Sequence, residues 1–226
     1  MTSKYNAAVR NPWTELPAQS HYVLDIDRTS IEKYNTLHRD DEKIIVESIP
    51  EPFIGNLQSA KVVLLNLNPG HSDGDAKAHS DTAFREAMMH NLRHEAQECP
   101  FYGLNPKFAW TACGTWWKAH TSKLHKAGLS WEAISEGLMV IEWFPYHSMS
   151  SGLPTKPVCP SQDYSFQIAR KMLEGKIVVG MRSKKHWLNV MSAAENIPFL
   201  KNPQNPSISP ANTGMELFEK IVEALR

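Results

Sequence analysis

Three short segments of the chain place amide, imidazole and hydroxyl groups beside proline or glycine. They are Asn68-Pro69-Gly70-His71, Phe144-Pro145-Tyr146-His147-Ser148 and Asn205-Pro206-Ser207-Ile208-Ser209. An amide such as that of Asn68 can orient a water molecule, although it is a weak base. Imidazole and hydroxyl groups both donate and accept hydrogen bonds. These segments therefore contain groups that can position water or bind a polar ligand.

The first two segments follow apolar runs that are typical of buried strands. Residues 62–67 read VVLLNL and residues 138–144 read LMVIEWF. Continuous apolar runs of this length predict central strands of a covered parallel sheet, in which ligands bind at the carboxyl ends of the strands. Glu142 lies within the second run. A buried glutamate needs a partner or has a raised pKa, which makes Glu142 a candidate acid or base.

Helical and extended patterns alternate along the rest of the chain. Further strands are predicted at 43–48, 176–179 and 197–200. Helices are predicted at 29–37 (opened by a capping box of Thr29 and Glu32), 82–97, 115–127, between Ser130 and Gly137, at 161–174, after Ser183, and after the capping box of Thr213 and Glu216. The order predicts a three-layer α/β/α domain with a short, mostly parallel central sheet. Residues 1–55 are predicted to be an N-terminal extension packed on a single domain of residues 56–226.

The charge of the chain is balanced overall but uneven along its length. The sequence has 24 basic and 24 acidic residues, which argues against a strongly basic protein that binds nucleic acid over its whole surface. Residues 107–126 contain four lysines and no acid, and residues 176–202 contain five basic residues and one glutamate. Such local patches can bind a phosphate backbone. Arg182, Ser183 and Lys184 open a predicted helix, where phosphate contacts are favourable.

Several classes of protein are disfavoured by missing patterns. The three cysteines, Cys99, Cys113 and Cys159, form neither a disulfide framework nor a paired metal motif. The chain has no HExxH sequence, no phosphate-binding P-loop, no dinucleotide-binding GxGxxG and no GxSxG nucleophile elbow. No apolar run approaches about 18 residues, and the N-terminal segment has no secretory pattern. We therefore expect a cytoplasmic protein that needs no metal, no cofactor and no membrane.

The first and third polar segments carry a resemblance to a known family. Asn66-Leu67-Asn68-Pro69-Gly70 resembles the Gly-Ile-Asn-Pro-Gly motif of the uracil-DNA glycosylase superfamily, and Asn205-Pro206-Ser207 resembles its later Asn-Pro-Ser motif. The segment KIVVGMRSKKHW, which begins at Lys176, resembles a strand and basic turn between them. The resemblance spans residues 60–226 and is closest to the mismatch-specific uracil/thymine branch. Asn66 departs from the motif, which has glycine there.

The resemblance implies a uracil-DNA glycosylase-like fold and roles for individual residues. It implies that Asn68 holds the attacking water and that an aromatic ring stacks on the base, with Phe101 and Tyr102 as first candidates and Phe108 and Trp110 as alternatives. The remaining pocket residues, which contact the base or sugar, are expected to be Asn66, Pro69, Gly70, His71, Glu142, His147 and Ser148. Contacts to the DNA backbone are expected from Arg182, Ser183, Lys184, Asn205, Pro206, Ser207 and Ser209.

Three functions remain open at this point. The first is a monofunctional DNA glycosylase, a monomeric hydrolase of base-excision DNA repair that cleaves the N-glycosidic bond of a flipped uracil, mismatched or modified base. The second is a module on the same fold that binds nucleic acid or nucleotides without cleaving them. The third is an unrelated α/β enzyme acting on a small molecule. The glycosylase hypothesis requires residues 66–71 and 205–209 to lie around one cleft.

Overall fold

The strands of the protein form two open sheets. The computed structural model describes residues 10–149 and 152–226. The strands are β1 (Ile44–Ile45), β2 (Phe53–Ile54), β3 (Val62–Asn66), β4 (Leu138–Glu142), β5 (His147–Ser148) and β6 (Ile177–Gly180). The larger sheet has the strand order β2-β4-β3-β6, and β1 pairs with β5 in a separate sheet.

The larger sheet is mixed. Strand β3 pairs in parallel with both β4 and β6, whereas β2 pairs antiparallel with β4. Every residue of β3 and β4 is buried, as expected for continuous apolar runs. The prediction of an α/β fold is confirmed. The sheet is mixed because the N-terminal part of the chain adds an antiparallel strand at one edge.

Helices connect and flank the strands. They are α1 (Asp25–Leu37), α2 (Asp75–Ser80), α3 (Thr82–Leu92), α4 (Ala112–Lys126), α5 (Trp131–Gly137), α6 (Gln162–Met172), α7 (Lys184–Val190), α8 (Pro210–Thr213) and α9 (Met215–Leu225). Side chains of Asp81, Thr111 and Ser130 cap α3, α4 and α5 by accepting a hydrogen bond from a backbone N–H of the first turn. No helix of the described residues is long and apolar enough to cross a bilayer.

Two predicted helix starts are wrong. Helix α1 already begins at Asp25, so the capping-box pattern of Thr29 lies inside the helix. The C-terminal helix begins at Met215, after Gly214 with φ of 88°. Thr213 instead ends the short helix α8, and its hydroxyl donates to the carbonyl of Ser209 at 2.9 Å.

Three other boundaries differ from the prediction. Helix α3 ends at Leu92, because His94 adopts the left-handed conformation, with φ of 56°. The polar segment of residues 71–81, for which no helix was predicted, contains α2. The predicted strand 197–200 is reduced to a single bridge between Gly180 and Phe199.

The segment before residue 56 is built into the fold. Its strand β2 places Phe53 opposite Ile141 and Ile54 opposite Val140. Trp13 is fully buried and packs edge-on against Tyr146, with ring centroids 5.9 Å apart. The antiparallel pairing brings residues 51–53 beside the carboxyl end of β4.

Candidate active site

A cavity of about 270 Å³ lies at the carboxyl ends of the parallel strands. Asn66 ends β3, Glu142 ends β4, and Arg182 follows β6. Because β2 runs antiparallel, Glu51, which lies two residues before it, reaches the same edge of the sheet. Of the residues predicted for the site, the cavity brings together Asn66, Asn68, Pro69, Gly70, His71, Glu142, His147 and Arg182. The position agrees with the general location of ligand sites in α/β sheets.

The amide of Asn68 is held in one orientation. Its Nδ2 donates to the carbonyl of Pro69 at 3.0 Å and to the hydroxyl of Ser148 at 2.9 Å. These bonds leave Oδ1 as the amide atom that can accept a hydrogen bond from water. Ser148, predicted to contact the base, therefore acts on Asn68 instead.

His147 fixes the loop that carries Asn68. Its Nδ1 lies 2.6 Å from the carbonyl oxygen of Gly70, and its Nε2 lies 3.0 Å from that of Ile49. Only the imidazolium form can donate to both carbonyl oxygens, whereas the neutral ring donates to one of them. Burial lowers the pKa of His147, while both carbonyl contacts oppose that lowering. Both nitrogens are engaged, so His147 clamps the loop rather than reading a base.

Asn66 and Glu142 form a buried pair on neighbouring strands. Asn66 Nδ2 donates to Glu142 Oε1 at 3.0 Å. Among the described residues, Asn66 Oδ1 and Glu142 Oε2 have no hydrogen-bond partner. Burial raises the pKa of Glu142 to about 8, and the bond from Asn66 opposes the rise. A proton on Glu142 Oε2 gives the buried pair a further hydrogen-bond donor. Asn66 Oδ1 is an acceptor of the same pair that has no donor.

Glu51 is the main functional candidate that the sequence reasoning missed. It is 7% exposed and lines the cavity. Burial raises its pKa to about 8, the charge of Asp75 adds to the rise, and a hydrogen bond from Tyr102 opposes it. The available signal was an acidic residue inside the apolar stretch Ile49-Pro50-Glu51-Pro52-Phe53, where a charge has few ways to reach water.

Two groups of side chains have the donor types that metal ions prefer. One comprises Glu51, His79 and His147, and the other comprises His71, Asp75 and His147. Both groups need His147, whose ring nitrogens face carbonyl oxygens. His79 Nδ1 accepts a hydrogen bond from the N–H of Ile49 at 2.9 Å, which leaves the proton on Nε2. In both groups, at least one histidine nitrogen that would have to bind the metal is already engaged in a hydrogen bond.

The cavity has aromatic walls, but not from the predicted rings. Phe101 and Tyr102 are buried in the core and do not line it. The 3₁₀ turn Tyr102–Leu104 packs against α4, and Phe101 contacts the ring of Trp117 with centroids 4.8 Å apart. Trp116 and Trp117 of α4 line the cavity instead.

The alternative stacking residues also lie away from the cavity. Phe108 is buried against Phe84, with ring centroids 5.1 Å apart, and Phe84 itself lines the cavity. Trp110 is exposed, with Lys77 Nζ 5.2 Å from its ring centroid. The sequence pattern did not show which of the aromatic residues between Phe101 and Trp117 face the cavity.

Arg182 connects the cavity with the Asn-Pro-Ser loop. Its guanidinium lies 5.7 Å from the ring centroid of Trp116, and its Nε donates to the carbonyl of Pro203 at 3.1 Å. Ile208 N donates to the carbonyl of His120 on α4 at 2.8 Å. The loop therefore lies on the side of the cavity where Arg182 and α4 meet.

The predicted DNA contacts differ in exposure. Lys184 and Asn205 are exposed, Ser183 and Ser207 are half-buried, and Pro206 and Ser209 are buried. None of these residues lines the cavity. Residues 205–209 therefore do not join residues 66–71 in the cavity wall as the glycosylase hypothesis requires, and the loop is connected to the cavity through Arg182, which bonds to Pro203. Asn212 Nδ2 donates to the carbonyls of Asn205 and Ser207, both at 2.9 Å, which fixes the loop conformation.

Comparison with known proteins gives no relative. No model of a protein family, no curated protein and no solved structure matches the chain. The functional conclusion therefore depends on the residues of the cavity and their geometry.

Proposed function

We propose that the chain is a monofunctional DNA glycosylase that hydrolyses the N-glycosidic bond of a flipped base. The observation that carries the proposal is the position of Asn68, whose oriented amide faces a cavity walled by Trp116 and Trp117. The proposal includes a uracil-DNA glycosylase-like, three-layer α/β/α arrangement around the larger sheet. It requires no metal or cofactor.

The size of the cavity suits one heterocycle. Pockets for drug-sized ligands are about 300–1,000 Å³, whereas this cavity is about 270 Å³. A base inside a duplex cannot enter it without leaving the stack, so the substrate is expected to be flipped. The rings of Phe84, Trp116 and Trp117 offer apolar faces against which a base can stack.

The reaction assigns distinct tasks to the residues at the cavity. Asn68 Oδ1 accepts a hydrogen bond from water and directs its oxygen toward C1′ of the sugar. Cleavage passes through a cationic, oxocarbenium-like sugar, which nearby carboxylates stabilise. We expect Arg182 and the exposed part of the adjacent Asn-Pro-Ser loop to contact phosphates.

The test is release of free base from short duplexes. The panel contains uracil, mismatched thymine and other modified bases, and the variants are Asn68→Ala and Asn189→Ala. Asn189 is an exposed asparagine of α7 and serves as the matched control. We expect Asn68→Ala to lower the single-turnover rate by about 10²-fold and Asn189→Ala to leave it unchanged.

The other functions predict different results. Salt-sensitive DNA binding without release from any member of the panel favours a binding module. Absence of both binding and release contradicts a DNA substrate and favours an α/β enzyme that acts on a small molecule. Equal rates for the wild type and Asn68→Ala contradict the assigned role of the amide.

A further inference from the structure

A second carboxyl group of the cavity comes from outside the segment that resembles the glycosylases. Glu51 precedes the edge strand β2 and lines the same cavity as Asn68. Its side chain is 8% exposed, so the carboxyl is buried in the cavity wall. The function proposed above gives this group no part in activating the water molecule.

The backbone around Glu51 is fixed to the end of β4. Glu51 N donates to the carbonyl of Pro145 at 2.9 Å, and Glu142 N donates to the carbonyl of Pro52 at 2.9 Å. One flanking bond joins residue 51 to the loop after β4, and the other joins residue 52 to the last residue of β4. The side chain therefore starts from a rigid position at the carboxyl edge of the sheet.

Glu51 is buried with little compensation. Among the described residues, its ion-pair partner within 4.0 Å is His147, whose Nε2 lies 3.7 Å from Oε1 and whose own pKa is lowered by burial, which disfavours its charged form. Titratable groups around Glu51 come from several neighbouring elements: Asp75 and His79 of α2, Tyr102, Cys113 of α4, Glu142 of β4 and His147 of β5. A buried carboxyl without a lysine or arginine lowers stability, and such groups are concentrated at functional sites.

We propose that Glu51 is the catalytic base of the cavity and acts on the water molecule that Asn68 orients. This inference rests on the proposed hydrolysis. The water oxygen bonds to C1′ as the bond from C1′ to the base nitrogen breaks, and the electron pair of that bond leaves with the base. The carboxylate of Glu51 takes a proton from the water and then returns it to the released base.

The division of labour follows from the chemistry of the two groups. An amide oxygen orients water but cannot hold its proton, whereas a carboxylate can. An ionised Glu51 also places negative charge beside the cationic sugar. The rise of the pKa of Glu51 to about 8 makes its ionised form a stronger base than an ordinary glutamate.

The first test compares Glu51→Gln with Glu47→Gln in single-turnover base release. Glu47 is an exposed glutamate of the same N-terminal segment. We expect Glu51→Gln to lower the rate by about 10²- to 10³-fold, with folding monitored by circular dichroism and binding of product DNA retained.

The pH profile is a further readout of the same comparison. The wild-type rate is expected to rise with pH and level off near the pKa of about 8, and this rise should disappear in Glu51→Gln. A variant as fast as the wild type, with the same pH profile, overturns the proposal.

A second test does not depend on turnover. Duplexes carrying a cationic pyrrolidine in place of the sugar are compared with duplexes carrying neutral tetrahydrofuran, at pH 8.5. The wild type and Glu47→Gln should bind the cation about 10-fold or more tightly, and Glu51→Gln should lose this preference. A wild type without the preference overturns the role of Glu51. Failure to release any base, with the preference intact, contradicts the proposed hydrolysis but leaves an ionised Glu51 facing the sugar position.

Discussion

At the scale of single residues, the buried pair of Asn66 and Glu142 links the cavity to the stability of the fold. The unfolded chain ionises Glu142 near the ordinary value of 4.5, whereas the folded protein retains the proton up to about pH 8. Between these values the unfolded state binds fewer protons, so this residue makes the protein less stable as pH rises. Glu51 adds an effect of the same sign.

Replacement of Glu142 by glutamine is expected to remove its part of this pH dependence. Between pH 5 and 8, the free energy of unfolding of Glu142→Gln should fall less steeply with pH than that of the wild type. The difference in slope should be up to about 1.4 kcal/mol per pH unit. The variant should be more stable than the wild type at pH 8. Urea unfolding across this range tests the expectation, with Glu136→Gln on the exposed side of α5 as control. Parallel curves for Glu142→Gln and the wild type would show that Glu142 is ionised in the folded protein.

Ser148 is expected to matter through the orientation of Asn68. Ser148→Ala removes the hydroxyl that accepts from Asn68 Nδ2, so the amide can rotate and lose its alignment with water. The rate of base release should fall about 10-fold, with a stability loss of about 1 kcal/mol. Ser122→Ala, which removes an exposed hydroxyl on α4, is the control. A fall in stability with an unchanged rate would assign Ser148 a structural role alone.

At the scale of elements, the position of α4 depends on a glycine inside the helix. A Cβ added at Gly114 would lie 2.2 Å from the carbonyl oxygen of Phe108. Replacement of a helical glycine by alanine normally stabilises a protein by about 0.5–1 kcal/mol. Here the close approach of the Pro106–Phe108 turn reverses the sign.

Gly114→Ala is therefore expected to destabilise the protein by about 1–3 kcal/mol. The shift of α4 should also move Trp116 and Trp117, so the affinity for base or DNA should fall. Thermal unfolding and tryptophan fluorescence measure the two effects. A rise in melting temperature would mean that the turn moves freely and that helix propensity decides the outcome.

The sequence patterns identified part of the site, for physical reasons that differ between elements. The buried strands β3 and β4 produce continuous apolar runs, so Asn68 and Glu142 could be placed at strand ends in advance. Strand β2 has two residues and pairs with a strand far along the chain, and a pair this short has no periodicity. The position of Glu51 at the cavity therefore could not be predicted from the sequence. That Trp116 faces the cavity follows only from the packing of α4.

At the scale of the whole molecule, neutral net charge implies a small electrostatic contribution to DNA binding. Arg182 lines the cavity and bonds to Pro203 just before the Asn-Pro-Ser loop, and Lys184 is exposed at the start of α7, with its Nζ 5.6 Å from the ring centroid of Phe199. Each phosphate contact adds about 0.9 to the slope of log affinity against log salt. Arg182→Ala and Lys184→Ala should each lower that slope by about 1, while Lys171→Ala on α6 should not. Fluorescence anisotropy between low and moderate salt measures the slopes, and three unchanged slopes would place the phosphates elsewhere.

The antiparallel strand β2 ties the part of the N-terminal segment that contains it to the larger sheet. A fragment beginning at residue 56 would lose Glu51 and leave the apolar strand β4 at an open sheet edge, where strands of other copies can add. Such a fragment is expected to self-associate before its chemistry can be assayed. We therefore expect that engineered truncations or domain fusions need to retain Glu51 and strand β2, although the proposed resemblance begins only near residue 60.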